Sequence, residues 1–188
     1  MTSTTLTALP GGTWIADPVH SDVSFRVRHL GVGRVRGAFG LTSATLVVGA
    51  DGIAGSRVTA VVDAASVRTG HETRDQHVRS GDFLDVAAHP TMTFTSTVVR
   101  DVDGGTFTLV GDLTVRGTTR AVELATEFHG TGADPSGVPR TGFSATMTIS
   151  RADFGIDVQL GFGAGNAVVA DTVEIAIDIA FTAQGEPS

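Results

Sequence analysis

The chain has no cysteine and no tyrosine, and all 13 of its basic residues are arginine, so lysine is missing as well. The absence of cysteine excludes disulfides, thiolate nucleophiles and cysteine-based zinc sites. Without lysine or tyrosine there is no Schiff-base amine, no P-loop amine and no phenolic acid. An enzyme built from this chain would have to work with His, Asp, Glu and Ser. No apolar run approaches the roughly 18 residues that a spanning helix requires. The opening residues MTSTTLTALPGG carry neither a basic n-region nor an apolar h-region. The expectation is a cytoplasmic protein with no stable membrane insertion. There is no basic excess either: the net charge is −7 over 188 residues. A chain of that sign lacks the long-range attraction to phosphate backbones on which nucleic-acid binders rely, so no nucleic-acid partner is expected.

The six prolines also avoid long stretches of the chain, and in those stretches apolar and polar residues alternate, as in half-buried strands. In Asp22 to His29, Val23, Phe25 and Val27 alternate with Ser24, Arg26 and Arg28. The same period of two runs through Thr106–Val115, Gly142–Ser150 and Thr172–Thr182. Further strands are expected at Thr13–Asp17, Val32–Phe39, Ser43–Val48, Ser56–Asp63, Thr91–Val99 and Arg120–Phe128. Short glycine-bearing links at Gly31–Gly33, Ala50–Gly52, Asp103–Gly105 and Arg116–Gly117 read as hairpin turns, and Gly130–Arg140 reads as a longer surface loop. Only Gly70–Asp85 has helical character. β-Branched residues nearly vanish there, Asp75 and Arg79 are spaced for an i,i+4 ion pair, and Thr69 is the candidate N-cap. A sheet of eight to ten strands must close or sandwich to hide its edges, and one closed antiparallel barrel is the simpler solution. A barrel of about eight strands is either filled by its own side chains or holds one small ligand, and periodicity alone favours the filled interior.

The residue order carries a resemblance. Trp14–Phe39 (WIADPVHSDVSFRVRHLGVGRVRGAF) has an aromatic strand, a D-x-x-H-S turn, F-x-V-x-H and a Gly-Phe strand. Ser66–Asp85 (SVRTGHETRDQHVRSGDFLD) supplies S-x-x-T-G, R-D-x-H and D-F. His89-Pro90, Phe94-Thr95-Ser96, Gly111–Gly117, Arg151 and Phe154-Gly155 follow in order. In combination these resemble the YceI-like family, with departures at Trp14 and Ile15, where the aromatic residue more often lies one step along. The resemblance implies an all-β, extended lipocalin-like antiparallel β-barrel with one helical insertion at about 70–85. The barrel domain would span 13–183, between flexible segments at 1–12 and 184–188. It further implies a long-chain isoprenoid ligand, either a prenyl diphosphate or an isoprenoid quinone, carried or stored in the barrel interior, and no required cofactor. The inward residues expected to hold the tail are Phe25, Val27, Phe39, Phe94, Leu109, Phe143, Met147 and Ile175. On that reading Phe143→Asp should empty the barrel and leave it folded.

Two rival readings stand beside this one. The first is an enzyme acting on an amphiphile through His20, His77 or Asp75; the second is a filled barrel serving as an interaction module. No catalytic or metal constellation is convincing. His71 and His77 are six apart, whereas two ligands on one helical face are normally three or four apart. His20 and His29 lie at opposite ends of one strand. In His20-Ser21-Asp22 the neighbouring side chains diverge, and bonding to the local backbone after Asp17-Pro18 is the better reading. Arg74, Asp75 and Asp82 read as a helix-anchoring ion network. Arg26, Arg28, Arg34 and Arg36 fall on the two arms of one hairpin. Cross-strand pairing with Asp or Glu is favoured there over a dock for an anionic surface or diphosphate. Exposed edges leave a homodimer open.

Overall fold

A computed structural model describes residues 9–158, 161–162 and 166–184. The end segments expected at 1–12 and 184–188 fall largely outside the described residues. Where they enter, Leu9 is buried and the Gln184 amide donates to the Thr13 carbonyl at 2.9 Å.

The strands are β1 (Gly12–Ala16), β2 (Asp22–His29), β3 (Gly33–Gly49), β4 (Gly52–Arg68), β5 (Thr91–Asp103), β6 (Thr106–Val115), β7 (Thr118–Ala133) and β8 (Pro139–Ser150). A small ladder follows, of β9 (Gly161–Phe162) and β10 (Asn166–Ala167), and then the long β11 (Val169–Ala183). The single α-helix among the described residues, α1 (Glu72–Arg79), lies between β4 and β5. Neighbours run β11-β2-β3-β4-β5-β6-β7-β8, and β8 pairs back onto β11 along its length, from Thr172↔Ser150 to Thr182↔Arg140. The eight-strand ring is therefore closed and entirely antiparallel. It is an extended lipocalin-like barrel. β1 and β2 fill successive parts of one slot between β11 and β3: β1 pairs Trp14 with Leu46 and Ala183, and β2 pairs Phe25 with Gly37 and Ile175. The 3-10 turn Pro18–His20 separates them, capped by Asp17, whose side chain accepts from Val19 N at 3.1 Å.

Closure answers the edge problem, because every wall strand finds partners on both sides, although the β4–β5 ladder is short, from Thr59↔Thr95 to Asp63↔Thr91. The hairpins follow the predicted glycines. At Arg116-Gly117 both residues have positive φ (48° and 72°), which is what a two-residue turn between Val115 and Thr118 demands. The outward face carries charged and hydroxyl side chains, such as Arg26, Asp112, Glu123 and Glu127, all exposed.

Several local expectations are corrected. The two strands read at Val32–Phe39 and Ser43–Val48 are one 17-residue strand, β3. Register shifts between Ala38 and Gly40, and again between Leu41 and Ser43, slip the alternation by a residue, so one strand reads as two. The surface loop expected over Gly130–Arg140 shrinks to 134–138, because β7 runs to Ala133 and β8 starts at Pro139. The Asp134 side chain closes that loop by accepting from Ser136 N at 2.8 Å and Val138 N at 3.1 Å.

The helix is eight residues long, shorter than expected, and its N-cap is His71, whose ring accepts from Arg74 N; it is not Thr69. Thr69 instead donates its N–H (2.8 Å) and its hydroxyl to the buried Asp75 carboxylate. Asp75 is therefore not paired with Arg79, which donates to the carbonyls of Ala65 and Val67 at 2.8 Å each. Arg74 likewise donates to Thr69 Oγ1 and O at 2.6 and 2.8 Å, while Asp82 turns to His77. The helix is anchored, but by arginine-to-carbonyl bonds and Thr69 rather than by the ion network expected of Arg74, Asp75 and Asp82.

Candidate functional site: an apolar bore

The barrel ends differ. At one end the β1 strand, the β3–β4 and β5–β6 turns and the β7–β8 loop enclose a cluster that includes Leu9, Trp14, Leu46, Phe107, Phe128, Phe143 and Phe181. Phe143 is central to it, with ring centroids 5.2 Å from Phe128, 6.0 Å from Phe181 and 6.4 Å from Phe107. At the other end, hereafter the rim, lie the β2–β3 turn, α1 and residues 151–158. There Leu84, Leu113, Val115, Phe154 and Ile156 form a second cluster.

Between the two clusters runs a cavity of about 710 Å³, walled almost wholly by apolar side chains from all eight ring strands. Each of the eight residues expected to hold the tail lines it: Phe25 and Val27 on β2, Phe39 on β3, Phe94 on β5, Leu109 on β6, Phe143 and Met147 on β8, and Ile175 on β11. Seven of them are only half-buried, although they point inward. An inward apolar residue in a closed barrel can stay accessible only if it faces empty space. Phe143 alone of the eight is buried, by the aromatic rings around it. It therefore belongs as much to the packed end as to the wall, which bears on the expectation for Phe143→Asp.

Two glycines keep the bore open. Phe25 lies across from Gly37, and a Cβ on Gly37 would fall 2.4 Å from its ring. A Cβ on Gly111 would fall 2.4 Å from the Phe94 ring and 2.5 Å from the Thr95 carbonyl. Both rings thus lie flat against the wall, over positions where any larger residue would lift them. The cavity is too large for a packing fault. At about 24 cal/mol per Å³, 710 Å³ of unfilled apolar space forgoes on the order of 17 kcal/mol, more than the roughly 5–15 kcal/mol by which a domain is stable. Its volume lies within the range of about 300–1,000 Å³ typical of small-molecule sites.

A few polar side chains line the bore along its length, such as Thr126 and, near the β3–β4 turn, Ser56 and Arg57, and a further group lies at the rim. Arg28, His71 and Thr73 are exposed and still line the cavity, so the bore reaches solvent between the β2–β3 turn and α1. The resemblance marks Arg151 in the sequence without assigning it a place here. This buried residue lines the bore and donates to the carbonyls of Ile156 (2.7 Å), Val158 (3.1 Å), Ala170 (3.2 Å) and Val169 (3.3 Å). It staples residues 156–158 to the start of β11. Its signal was its place in that pattern, just after a strand and before Phe154-Gly155.

The residues weighed for catalysis do not converge. His20 Nδ1 lies 2.8 Å from Asp17 Oδ2, while Ser21 Oγ donates to the Asp17 carbonyl at 2.7 Å and accepts from Ala180 N at 3.2 Å. His77 Nε2 lies 2.9 Å from Asp82, and Asp75 is held by Thr69. Among the described residues no three His, Asp or Glu side chains gather where they could hold a metal ion. The hydrogen bonds from His20 and Arg140 hold the Asp17 carboxyl at about 2, below its usual 3.8. Arg140 spans Asp17 at 2.8 Å and Asp134 at 3.1 Å, joining the start of the β1–β2 crossing to the β7–β8 loop. This cluster serves the packed end.

A closed antiparallel barrel with an apolar bore, opening beside one capping helix, defines a lipocalin-like barrel with an internal small-molecule cavity. The chain belongs to the YceI-like family: the family's domain model matches residues 14–181. It is 42% identical over 140 residues to a UPF0312 protein of Vibrio vulnificus, covering 74% of each chain. With a UPF0312 protein of Vibrio parahaemolyticus it shares 40% over 158 residues, which is 81% of this chain and 84% of the relative. Among solved structures it resembles the Campylobacter jejuni YceI protein, with TM-score 0.70 and 25% identity over 84% of this chain and 90% of that one. A polyisoprenoid binding domain from Saccharophagus degradans, implicated in plant cell wall breakdown, shares the fold at TM-score 0.66 and 16% identity, covering 91% and 98%.

Proposed function

We propose that the protein binds a long-chain isoprenoid lipid in its bore, as a carrier or store, without chemistry of its own and without a cofactor. The observation that carries this reading is the 710 Å³ apolar cavity reaching solvent at a polar rim. Such a shape takes an extended apolar tail and leaves its head outside, as a prenyl diphosphate or an isoprenoid quinone would be held. Burying about ten CH₂ equivalents at roughly 0.8 kcal/mol each supplies about 8 kcal/mol before the cost of lost freedom. Affinity should therefore climb with tail length until the bore is full. Kinship of fold with a polyisoprenoid binding domain supports the same ligand class.

The test is mass spectrometry of an organic extract of the purified protein. A stoichiometric, chemically intact isoprenoid is the expected result. A bore that neither co-purifies with nor takes up prenyl lipids, or one that returns them altered, would overturn the reading.

A further inference from the structure

The outer face of the β2–β3 hairpin carries a feature that the bore shares only at Arg28. β2 and β3 pair Arg26 directly with Arg36 and Arg28 directly with Arg34, all four side chains exposed. Like charges directly opposite one another on a sheet repel and destabilise the pairing. The expected compensation by acidic neighbours is only partial. Glu174 of β11 pairs with Arg26, and among the described residues no carboxylate lies within ion-pair distance of Arg28, Arg34 or Arg36. Arg68 of β4, opposite Ala38 and also exposed, extends the patch by one more cation. Five of the 13 arginines thus share one face of a chain whose net charge is −7. Beside them a groove of about 240 Å³ is lined by Arg26, Arg28, Arg34 and Thr172 and by Glu174, the carboxylate that pairs with Arg26. At the hairpin tip Val32 is 93% exposed, a bare apolar side chain next to the cations.

We propose that this hairpin docks the barrel on a membrane surface rich in anionic phospholipid. The arginines meet lipid phosphates, the groove seats one head group, and Val32 enters the interface. Clustered arginines at an anionic leaflet are attracted by its surface potential, and a single apolar tip adds grip without spanning. The geometry also orients the protein. The hairpin tip lies at the rim, and Arg28 lines both the outer groove and the bore. Docking therefore turns the opening of the bore towards the bilayer, where an isoprenoid would be collected or delivered. The patch does not depend on what fills the bore, so its test is separate from the extraction experiment.

The test is co-sedimentation of the full chain with vesicles of phosphatidylcholine alone and with about 30% phosphatidylglycerol, over a range of salt. The anionic vesicles should bind the protein at low ionic strength and release it as salt rises, while neutral vesicles should not bind it. Each basic residue near such a surface is worth roughly fivefold in partitioning, so R28Q/R34Q should weaken binding on the order of 30-fold. R120Q, on the far wall, should change nothing, and V32S should weaken binding without altering its salt dependence. Circular dichroism of each variant confirms the fold. Equal binding to both vesicle types, no binding to either, or anionic binding that R28Q/R34Q leaves intact overturns the proposal.

Discussion

Gly37→Ala probes the bore with a single methyl group. The Phe25 ring lies over Gly37, and the new Cβ would sit 2.4 Å from ring carbon Cζ and 2.9 Å from Thr69 Cγ2. Neither distance is tolerable, so something must move. The ring is the far end of a two-torsion side chain, whereas the backbone beneath it is held in the β2–β3 ladder, opposite Phe25. Phe39 already stands 5.3 Å away along the wall. The free direction is into the bore. A ring turned inward occupies the space of about four methylenes of tail, which at roughly 0.8 kcal/mol each removes about 3 kcal/mol of binding, or about 200-fold in Kd. The empty barrel should lose less, about 1 kcal/mol of stability, because overpacking is relieved by the vacant space.

The assay is calorimetric titration of lipid-stripped protein with a series of prenyl chains, paired with thermal unfolding. Gly37→Ala should bind long chains about two orders of magnitude more weakly and melt only slightly lower. Phe25→Ala/Gly37→Ala, which removes the displaced ring, should recover most of the affinity. Unchanged affinity for every chain length in Gly37→Ala, or no recovery in the double variant, would show that the tail does not run along this wall.

Four further outcomes follow from the geometry. Phe143→Asp should unfold the barrel instead of merely emptying it, since it buries an unpaired charge among three rings; Phe→Ala there alone costs about 3–5 kcal/mol. Ile175→Asp, on the hydratable wall, should keep the native circular dichroism spectrum and lose co-purified lipid, and retained lipid would count against the inward face. Asp17 has a folded pKa of about 2, below the usual 3.8, so its stabilising contribution is complete above that usual value and is lost as pH falls through about 2. Asp134 and Asp171 are shifted in the same direction, Asp134 chiefly by the Val138 amide and Asp171 by Ser150. The urea midpoint of the wild type should therefore drop through that acid window, and less steeply in Asp17→Asn; parallel curves would refute the assignment. Asp75→Ala leaves the Thr69 amide and hydroxyl without their acceptor. It should cost about 1–3 kcal/mol and speed hydrogen exchange in α1.

The wall of the bore was legible in the sequence because inward and outward residues differ in kind at every second position of β2, β6, β8 and β11. Val23, Phe25 and Val27 could not share a face with Arg26 and Arg28. Where the chain bulges, that signal fails: the slip between Ala38 and Ser43 hid the continuity of β3. Side-chain partners were less legible still. Thr69 has the residue type of a cap, yet His71 two residues on takes that place, and only the turn geometry reports it. Asp75 sits at the right spacing for Arg79, yet the two are drawn to different main-chain and hydroxyl groups by the path of β4. The role of Phe143 depends on rings contributed by β6, β7 and β11, and no local pattern reports such a meeting.

The distribution of bulk between the ends has a consequence for ligand length. Trp14, Phe107, Phe128, Phe143 and Phe181 are concentrated at one end, where they supply the packing that an open middle cannot. The middle is held by its closed ring of ladders instead, so it can stay vacant without collapsing. From Phe181 to Val169 β11 spans twelve residue steps, roughly 30 Å along the axis of a barrel whose strands tilt by about 40°. A tail entering at the rim therefore meets a floor of aromatic rings. Chains that stop short leave wall unburied, and chains that overrun must leave their excess in water. On the proposed reading affinity should rise with each isoprene unit and then level abruptly. Substitutions at the floor should move that plateau, while those at the rim should shift every chain length alike. A steady rise with no plateau would mean that the tail does not end at these rings, and the packed end would then need another reason for its aromatic residues.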